Sequence, residues 1–285
     1  MKTQKFGVEI EMKGITRREG AKLLAEFFHN HSNRFIGDGY DIYGADDSEG
    51  RTWKFVSDAS VEGGCELVTP ILRYDDIETL QEIVRLVRNN GARIDGQCGI
   101  HVHIGVPRIK ASKVANLSNF FYAYEDIIYH ALKIKSRRQR FCRKTDERFI
   151  ERLNEDKPRT KDEFADCWYE SQNASCGRGH HYNESRYHAL NLHAWFTKGT
   201  VEFRVFNSTL HAGRVKAYIQ FCLALVAKAK EMRGALPIKI QTDNEYQSFK
   251  ECLERIGLEG DEFKTCRFHM LKVLKERQER AVGNN

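Results

Sequence analysis

The sequence of 285 residues is poor in proline and contains only short apolar runs. Four prolines and 21 glycines exclude a collagen-like or low-complexity chain, and a hydrophobic content of 41% is ordinary for a globular protein. The longest apolar stretches, such as 221–227, are far shorter than the roughly 18 residues that a membrane-spanning helix needs. The first residues show no apolar segment of a secretory signal. We therefore expect a cytoplasmic globular protein that makes no contact with a membrane.

Eight cysteines are scattered along the chain and form no C-x-x-C pair, which is typical of reduced, mostly buried thiols. The net charge of +6 is a mild excess that suits a small anionic ligand such as a nucleotide. The basic segment 133–144 is the best argument for a nucleic-acid partner. One charge run without a nucleic-acid-binding motif argues against that partner. The amphipathic pattern from Glu245 onward leaves an oligomer open.

Hydrophobic periodicity predicts strands over 5–12, 52–57, 64–69, 99–106, 187–196 and 200–206. It predicts helices over 17–31, 76–89, 112–135, 146–154, 161–170, 213–233 and 245–280. Loops are expected at 44–51 and at 171–185, the second being long enough to close over a ligand. Strands that are separated by helices in some places and by turns in others predict an α+β fold with a mainly antiparallel sheet. No repeat or long linker interrupts the sequence, so we expect a single domain over 1–285, helical over 211–285.

Three predicted strands carry ionisable residues on one face and apolar residues on the other, because alternate side chains of a strand point to opposite faces. The ionisable residues are Glu9 and Glu11, His101 and His103, and Glu202 and Arg204. A half-solvated sheet alternates in the same way, but its polar face usually carries Lys, Thr, Ser and Gln. The recurrence of Glu, His and Arg in three strands instead indicates a face that binds metals and phosphates.

Two further carboxylates extend this pattern. Asp58 ends one strand pattern, and Glu66 falls in the next strand after a turn at Gly63-Gly64. If these elements are neighbours, five carboxylates meet, namely Glu9, Glu11, Asp58, Glu66 and Glu202. They would repel one another and raise one another's pKa values. Divalent cations relieve this repulsion, and carboxylate oxygens with one imidazole suit Mg²⁺ or Mn²⁺. The predicted metal-binding residues are Glu9, Glu11, Asp58, Glu66, His101 and Glu202.

Four motifs, in order along the chain, resemble those of the amidoligase family, which belongs to the superfamily of glutamine synthetase and glutamate–cysteine ligase. The motifs are Gly7-Val-Glu-Ile-Glu11, Asp58-x-Ser60 followed by Glu66-Leu-Val-Thr-Pro70, Cys98-Gly-Ile-His-Val-His103, and Thr200-Val-Glu-Phe-Arg-Val-Phe206. Together they cover about 6–210. The resemblance implies a single catalytic domain with a curved antiparallel sheet, helices packed on one face, and ATP with Mg²⁺ or Mn²⁺ on its concave side. It also implies an ATP-dependent carboxylate–amine ligase that works through an acyl phosphate.

The resemblance also implies roles for single residues. Glu9 and Glu11 are similar to the first pair of metal carboxylates, Asp58 and Glu66 to the second pair, His101 to the metal-binding histidine and Glu202 to the last carboxylate. Arg204 resembles a phosphate-binding arginine, and Arg186 an upstream substrate- or phosphate-binding arginine. His103 either binds metal or contacts a neighbour or ATP. Ser60 and Asn191 are further candidates for nucleotide contact, although glutamine synthetases carry an arginine at the position of Asn191.

Two other function classes stay open at this point. A metal-dependent hydrolase could use Cys98, His101 and His103 with the carboxylates, although Cys98 points away from His101 if the strand includes both. A nucleic-acid-binding module without catalysis is the other class. No H-E-x-x-H, P-loop or G-x-G-x-x-G motif is present in the sequence. The substrates that fit the ligase are amino-acid-like or peptide-like carboxylates and amines.

Overall fold

A computed structural model describes residues 1–29, 34–35, 42–57, 61, 63–134, 140–171, 177–180 and 182–283. The chain divides into two compact units, each assembled from segments far apart in the sequence. The N-terminal unit comprises Lys2–His103 and Phe206–Lys216. The C-terminal unit comprises Ile104–Val205 and Ala217–Asn285, together with Met1. A single catalytic domain over 1–285 stays a prediction.

The N-terminal unit is built on antiparallel strands. Its strands are β1 (Phe6–Lys13), β2 (Arg34–Phe35), β3 (Tyr43–Asp46), β4 (Thr52–Val56), β5 (Gly64–Val68) and β6 (Gly99–Gly105), the last belonging to this unit as far as His103. The strand order is β2-β3-β4-β5-β1-β6. The pairs β2–β3, β3–β4, β4–β5 and β1–β5 are antiparallel. The β1–β5 register sets Glu11 opposite Glu66, so two predicted site residues are neighbours.

Two helices cover apolar residues of this unit. They are α1 (Arg17–Phe27) and α2 (Ile77–Asn89). The first begins at a capping box, in which the Thr16 hydroxyl accepts from the backbone N–H of Glu19 and the Glu19 carboxylate accepts from that of Thr16. The predicted apolar face of β1 is buried, as are the apolar positions of α2. The hydrophobic periodicity therefore located this core correctly.

Glycine at position 20 allows α1 to approach β4 closely. A Cβ atom at Gly20 would lie 2.6–2.7 Å from the ring of Phe55. We expect Gly20→Ala to lower the free energy of unfolding by about 1–3 kcal/mol through overpacking, although alanine favours a helix by roughly 0.5–1 kcal/mol. Gly96→Ala is the matched control, because nothing lies within 4 Å of its Cβ position. Urea unfolding of both variants tests this, and equal or greater stability of Gly20→Ala would contradict it.

The loop predicted at 44–51 is wrong in its first half. Residues 43–46 form β3, where Gly44 pairs with Lys54 and Ala45 with Trp53. The turn starts at Asp47, whose carboxylate accepts from the backbone N–H groups of Glu49 and Arg51. The glycine-rich composition of 44–51 led to the prediction of a loop. The strand β3 forms because its residues pair with β4, and local strand propensity contributes little.

The C-terminal unit is mainly helical. Its elements are α3 (Ala111–Ala131), α4 (Glu147–Asp156), α5 (Lys161–Glu170), β7 (Leu190–Asn191), α6 (His193–Lys198), β8 (Thr200–Asn207), α7 (Ala212–Glu231), α8 (Glu245–Arg255) and α9 (Lys264–Gly283). Strand β8 and helix α7 each have a few residues in the N-terminal unit. The pair β7–β8 is antiparallel, with Asn191 opposite Glu202. The prediction of an α+β fold with antiparallel strand pairing is confirmed.

Two element predictions in this unit need correction. The strand expected over 187–196 is reduced to β7, and 193–198 is the helix α6. The side-chain oxygen of Asn191 accepts from the backbone N–H of His193, and Gly199 ends the helix in the left-handed conformation. The helix expected over 245–280 is two helices, because Gly257 and Gly260 adopt positive φ angles between them. Short apolar runs fit either period, so periodicity alone misassigned 193–198.

The cysteines of the described residues are free and buried, as predicted, namely Cys65, Cys98, Cys142, Cys167, Cys222, Cys252 and Cys266. Within the described part of the chain, no helix combines the length and apolarity that crossing a bilayer demands.

Buried His188 should make stability depend on pH. Burial lowers its pKa to about 4, and Nδ1 lies 2.9 Å from the Ser185 carbonyl oxygen. The unfolded chain takes up a proton near pH 6.5, whereas the folded chain does not until about pH 4. Stability should therefore fall as the pH drops through this window, by up to about 3 kcal/mol. His188→Asn should flatten the slope measured by unfolding at successive pH values, and an unchanged slope in this variant would contradict the expectation.

Candidate functional site

The polar faces of β1, β5 and β6 are largely buried, unlike those of a half-solvated sheet. Only 4% of Glu11, 8% of Glu66, 4% of His101 and 8% of His103 is exposed, and Glu9 is half-buried. A solvated face is therefore excluded at these positions. Ionisable groups are buried in proteins only when they are paired or bind metals, so this face needs an electrostatic explanation.

The imidazole rings lie among the three carboxylates of the N-terminal unit. His101 Nδ1 is 3.0 Å from Glu9 Oε2 and 4.0 Å from Glu66 Oε1, while its Nε2 is 3.6 Å from Glu11 Oε1. His103 Nε2 is 3.2 Å from Glu9 Oε1. We name these five residues the carboxylate–histidine cluster. Its members come from three neighbouring strands, and they meet as the alternation of β1 and β6 predicts.

Glu11 is held in place by the backbone. Its Oε2 accepts from the backbone N–H of Gly99 at 2.5 Å, at the start of β6. The Ser208 hydroxyl donates to the Glu11 carbonyl oxygen at 2.7 Å. Both bonds are buried, so they fix the carboxylate of Glu11 relative to β6 and its backbone relative to Ser208. The sequence offered no signal for Ser208, which is 197 residues away from Glu11 along the chain.

Glu9 is an anion in this cluster. Burial by itself would raise its pKa, but the charge of His103 and hydrogen bonds from His101 and His103 outweigh burial and hold the pKa well below its usual range. The expectation that the carboxylates raise one another's pKa values is not met at Glu9. Its ionised form is the one that binds cations.

The donor set fits a divalent cation. Glu9, Glu66 and His101 each offer one ligand atom, and these atoms lie within 4.8 Å of one another. Two carboxylate oxygens and one imidazole nitrogen are compatible with Mn²⁺ and Mg²⁺. The residues present therefore match the type of ion that the sequence predicts.

Cys98 does not behave as a metal ligand. Its Sγ lies 3.5 Å from Asp95 Oδ1, and burial raises the pKa of the thiol to about 11. Among the described residues, the groups of side chains that could hold a metal ion do not include Cys98. The structure thus argues against the Cys98–His101 zinc pair of the hydrolase alternative.

The C-terminal unit contains a second buried group of predicted residues. The Arg204 guanidinium donates to Glu202 Oε1 at 2.5 Å, and the Asn191 amide donates to Glu202 Oε2 at 2.7 Å. The Asn191 oxygen accepts from the backbone N–H of His193, which orients the amide. Glu202 was predicted as a metal ligand, and its pairing with Arg204 was not foreseen. A carboxylate has about four acceptor positions, so this pairing leaves capacity for a further ligand.

Arg186 lies in a short 3₁₀ turn and is surrounded by aromatic rings. Its guanidinium lies 5.8 Å from the ring centre of Tyr182 and 5.9 Å from that of Tyr187. Arg204 lies 5.9 Å from the same Tyr187 ring, so the two predicted arginines share one aromatic neighbour. Sequence reasoning missed Tyr187, although its position directly after Arg186 was a usable signal.

Some predicted residues lie outside the described part of the chain. Asp58 and Ser60 are among them, as are 135–139 of the basic segment and 172–176 and 181 of the polar loop. Their predicted roles stay predictions.

The protein has an α+β fold, a buried carboxylate–histidine cluster and a buried carboxylate–guanidinium pair. These features place it in the class of proteins with a candidate divalent-cation centre. The chain belongs to the family described as "putative amidoligase enzyme", whose model matches residues 2–226. This confirms the resemblance found from the motifs and makes the protein a ligase-type enzyme. A comparison with curated proteins finds no match.

Proposed function

We propose that the protein is an ATP- and Mg²⁺- or Mn²⁺-dependent carboxylate–amine ligase that acts on amino-acid-like or peptide-like substrates in the cytoplasm. The observation that supports this most is the convergence of Glu9, Glu66 and His101 within 4.8 Å in a chain of the amidoligase family. The burial of the surrounding cluster adds support, because uncompensated anions are costly inside a protein.

The proposed reaction has two steps. A carboxylate oxygen of the acid attacks the γ-phosphorus of ATP, so that an acyl phosphate forms and ADP leaves. The amine then attacks the acyl carbon, the amide bond forms, and phosphate leaves while the nitrogen loses a proton. In such reactions the protein acts mainly by positioning the reactants and neutralising charge.

Residues of the N-terminal unit bind the cation and orient the carboxylates around it. Glu9, Glu66 and His101 would hold the cation, which supplies neutralisation of phosphate charge when bound. His103 orients the carboxylate of Glu9, and Gly99 orients that of Glu11.

In the C-terminal unit, Arg204 supplies a planar cation suited to bidentate contact with a phosphate. Glu202 keeps this guanidinium in place, and Asn191 keeps the Glu202 carboxylate in place.

Transfer of oxygen between the reactants tests this proposal. Purified protein is incubated with Mg²⁺, ATP, an amine pool and a pool of amino acids and peptides whose carboxylates carry ¹⁸O. Attack by the carboxylate predicts one labelled oxygen in the released phosphate. Hydroxylamine in place of the amine should yield a hydroxamate. ADP formation that does not depend on the acid pool, or phosphate without label, would contradict the acyl-phosphate route.

A further inference from the structure

The last described residues of the basic segment, 140–144, contact the chain segments that carry Arg186 and Arg204. The backbone N–H of Arg143 donates to the Tyr187 carbonyl at 2.8 Å, and that of Ala189 donates to the Arg143 carbonyl at 2.8 Å. The backbone N–H of Arg204 donates to the Ala189 carbonyl at 2.8 Å. Three segments far apart in the sequence therefore lie side by side.

Aromatic rings connect the cationic side chains of these segments. Phe141 and Tyr187 meet edge to face with ring centres 5.8 Å apart, and the Arg140 guanidinium lies 4.4 Å from the Phe141 ring centre. Arg186 lies over Tyr182 and Tyr187. We name this set the arginine–aromatic surface, which comprises Arg140, Phe141, Arg143, Tyr182, Arg186 and Tyr187.

Positive charge dominates this surface. Arg140 and Arg143 are exposed, and within the described residues neither forms an ion pair. The contact of Arg143 with Glu184 goes to the carbonyl oxygen rather than to the carboxylate. A guanidinium that stacks on a ring keeps its N–H groups in its own plane, where they suit a carboxylate or a phosphate.

We propose that the arginine–aromatic surface binds the acid substrate and selects acids that carry further carboxylates beside the reacting one, such as acidic peptides. This proposal rests on the ligase function proposed above. The guanidinium groups of Arg140, Arg143 and Arg186 match an acid with several anionic groups better than an acid with one. Arg140 and Arg143 would thus be specificity-determining residues, and the described end of the basic segment would serve substrate recognition.

The aromatic rings favour this ligand over a nucleic acid. Binding of single-stranded nucleic acid needs rings with free faces on which bases stack. Tyr182 is 48% exposed, but Phe141 and Tyr187 are half-buried and pack on each other and on arginines. The rings therefore hold the guanidinium groups in place and leave little open face for bases.

Fluorescently labelled tetra-L-glutamate is the probe for this surface, with tetra-L-glutamine as the uncharged comparison. We expect the full-length protein to bind the first and not the second, with affinity that falls as salt rises. Arg140→Gln/Arg143→Gln should weaken binding about tenfold, as expected for two exposed charge contacts. The control Arg85→Gln/Arg88→Gln removes two exposed arginines of the N-terminal unit and should bind normally. Arg140→Gln alone keeps the Arg143–Glu184 contact and should weaken binding about threefold.

Several results would overturn the proposal. These are no binding of tetra-L-glutamate by the wild-type protein, the same affinity in the double variant, or a loss shared by the control variant. A larger loss for an oligothymidylate or for MgATP than for the peptide would assign the surface to nucleic acid or to the nucleotide. Binding is measured without turnover, so failure of the ligase assay and failure of this surface are distinguishable.

Discussion

Glu9→Gln is expected to abolish tight Mn²⁺ binding and to slow acid-dependent ATP cleavage by about 10²–10³-fold, comparable to the loss of one electrostatic stabiliser in other enzymes. The side chain keeps its size but loses the charge that lies 3.0 Å from His101 and 3.2 Å from His103. Mn²⁺ binding is measured by electron paramagnetic resonance, and cleavage by ADP release. The binding measurement needs no knowledge of the acid or the amine.

Glu82→Gln is the matched control for this variant. Glu82 is an exposed residue of α2 in the same unit, so its substitution removes one negative charge without touching the cluster. Both variants should retain the wild-type circular dichroism spectrum. Wild-type Mn²⁺ affinity together with wild-type ATP cleavage in Glu9→Gln would remove the basis for the cation centre.

Arg204→Gln is expected to lower the free energy of unfolding by about 3–5 kcal/mol, because it leaves the carboxylate of Glu202 buried without its cation. Both side chains are buried, and Arg204 donates to Glu202 at 2.5 Å. The loss should appear in guanidinium unfolding curves in the absence of any ligand. It is therefore separate from any loss of ligase activity.

The double variant Arg204→Gln/Glu202→Gln should recover part of this stability, since a neutral amide replaces the stranded charge. Arg152→Gln serves as the control: Arg152 pairs with Asp156 and Glu170 at the surface, and its loss should cost less than about 1 kcal/mol. If the double variant is as unstable as Arg204→Gln, the ion pair is not what stabilises this site.

Much of the fold could be predicted because its strongest patterns are local. Helix α2 and strand β1 agree with their predictions to within a residue or two, since each has a long, regular apolar period. The failures occurred at short elements. Strand β3 depends on pairing with β4, and helix α6 depends on a cap from Asn191 and a glycine after it. Neither the pairing of a strand with another strand nor the hydrogen bonds at the ends of a helix change the local apolar periodicity, so periodicity did not reveal these two elements.

The sequence predicted which residues form the candidate site, but it did not predict which of them touch. Alternation along β1 and β6 put Glu9 and His101 on faces that do meet. The contact of Glu202 with Asn191 could not be predicted from the sequence, because it depends on the β7–β8 register. Glu202 and Arg204 lie two residues apart on one face of β8, so alternation along the strand allowed their pairing but did not specify it. Likewise, the contact of Arg143 with Tyr187 joins residues 44 positions apart.

The sequence by itself determined the kinds of donor groups, the apolar faces that they lie opposite, and the family of the protein, because residue identity and strand alternation are properties of the chain alone. Only the tertiary structure decided which donors touch, that the histidines favour the ionised form of Glu9, and that the basic segment ends against Tyr187 and Ala189. The physical reason is that charges, burial and hydrogen bonds act through space. Their strength is set by distances that folding creates between residues far apart in the sequence.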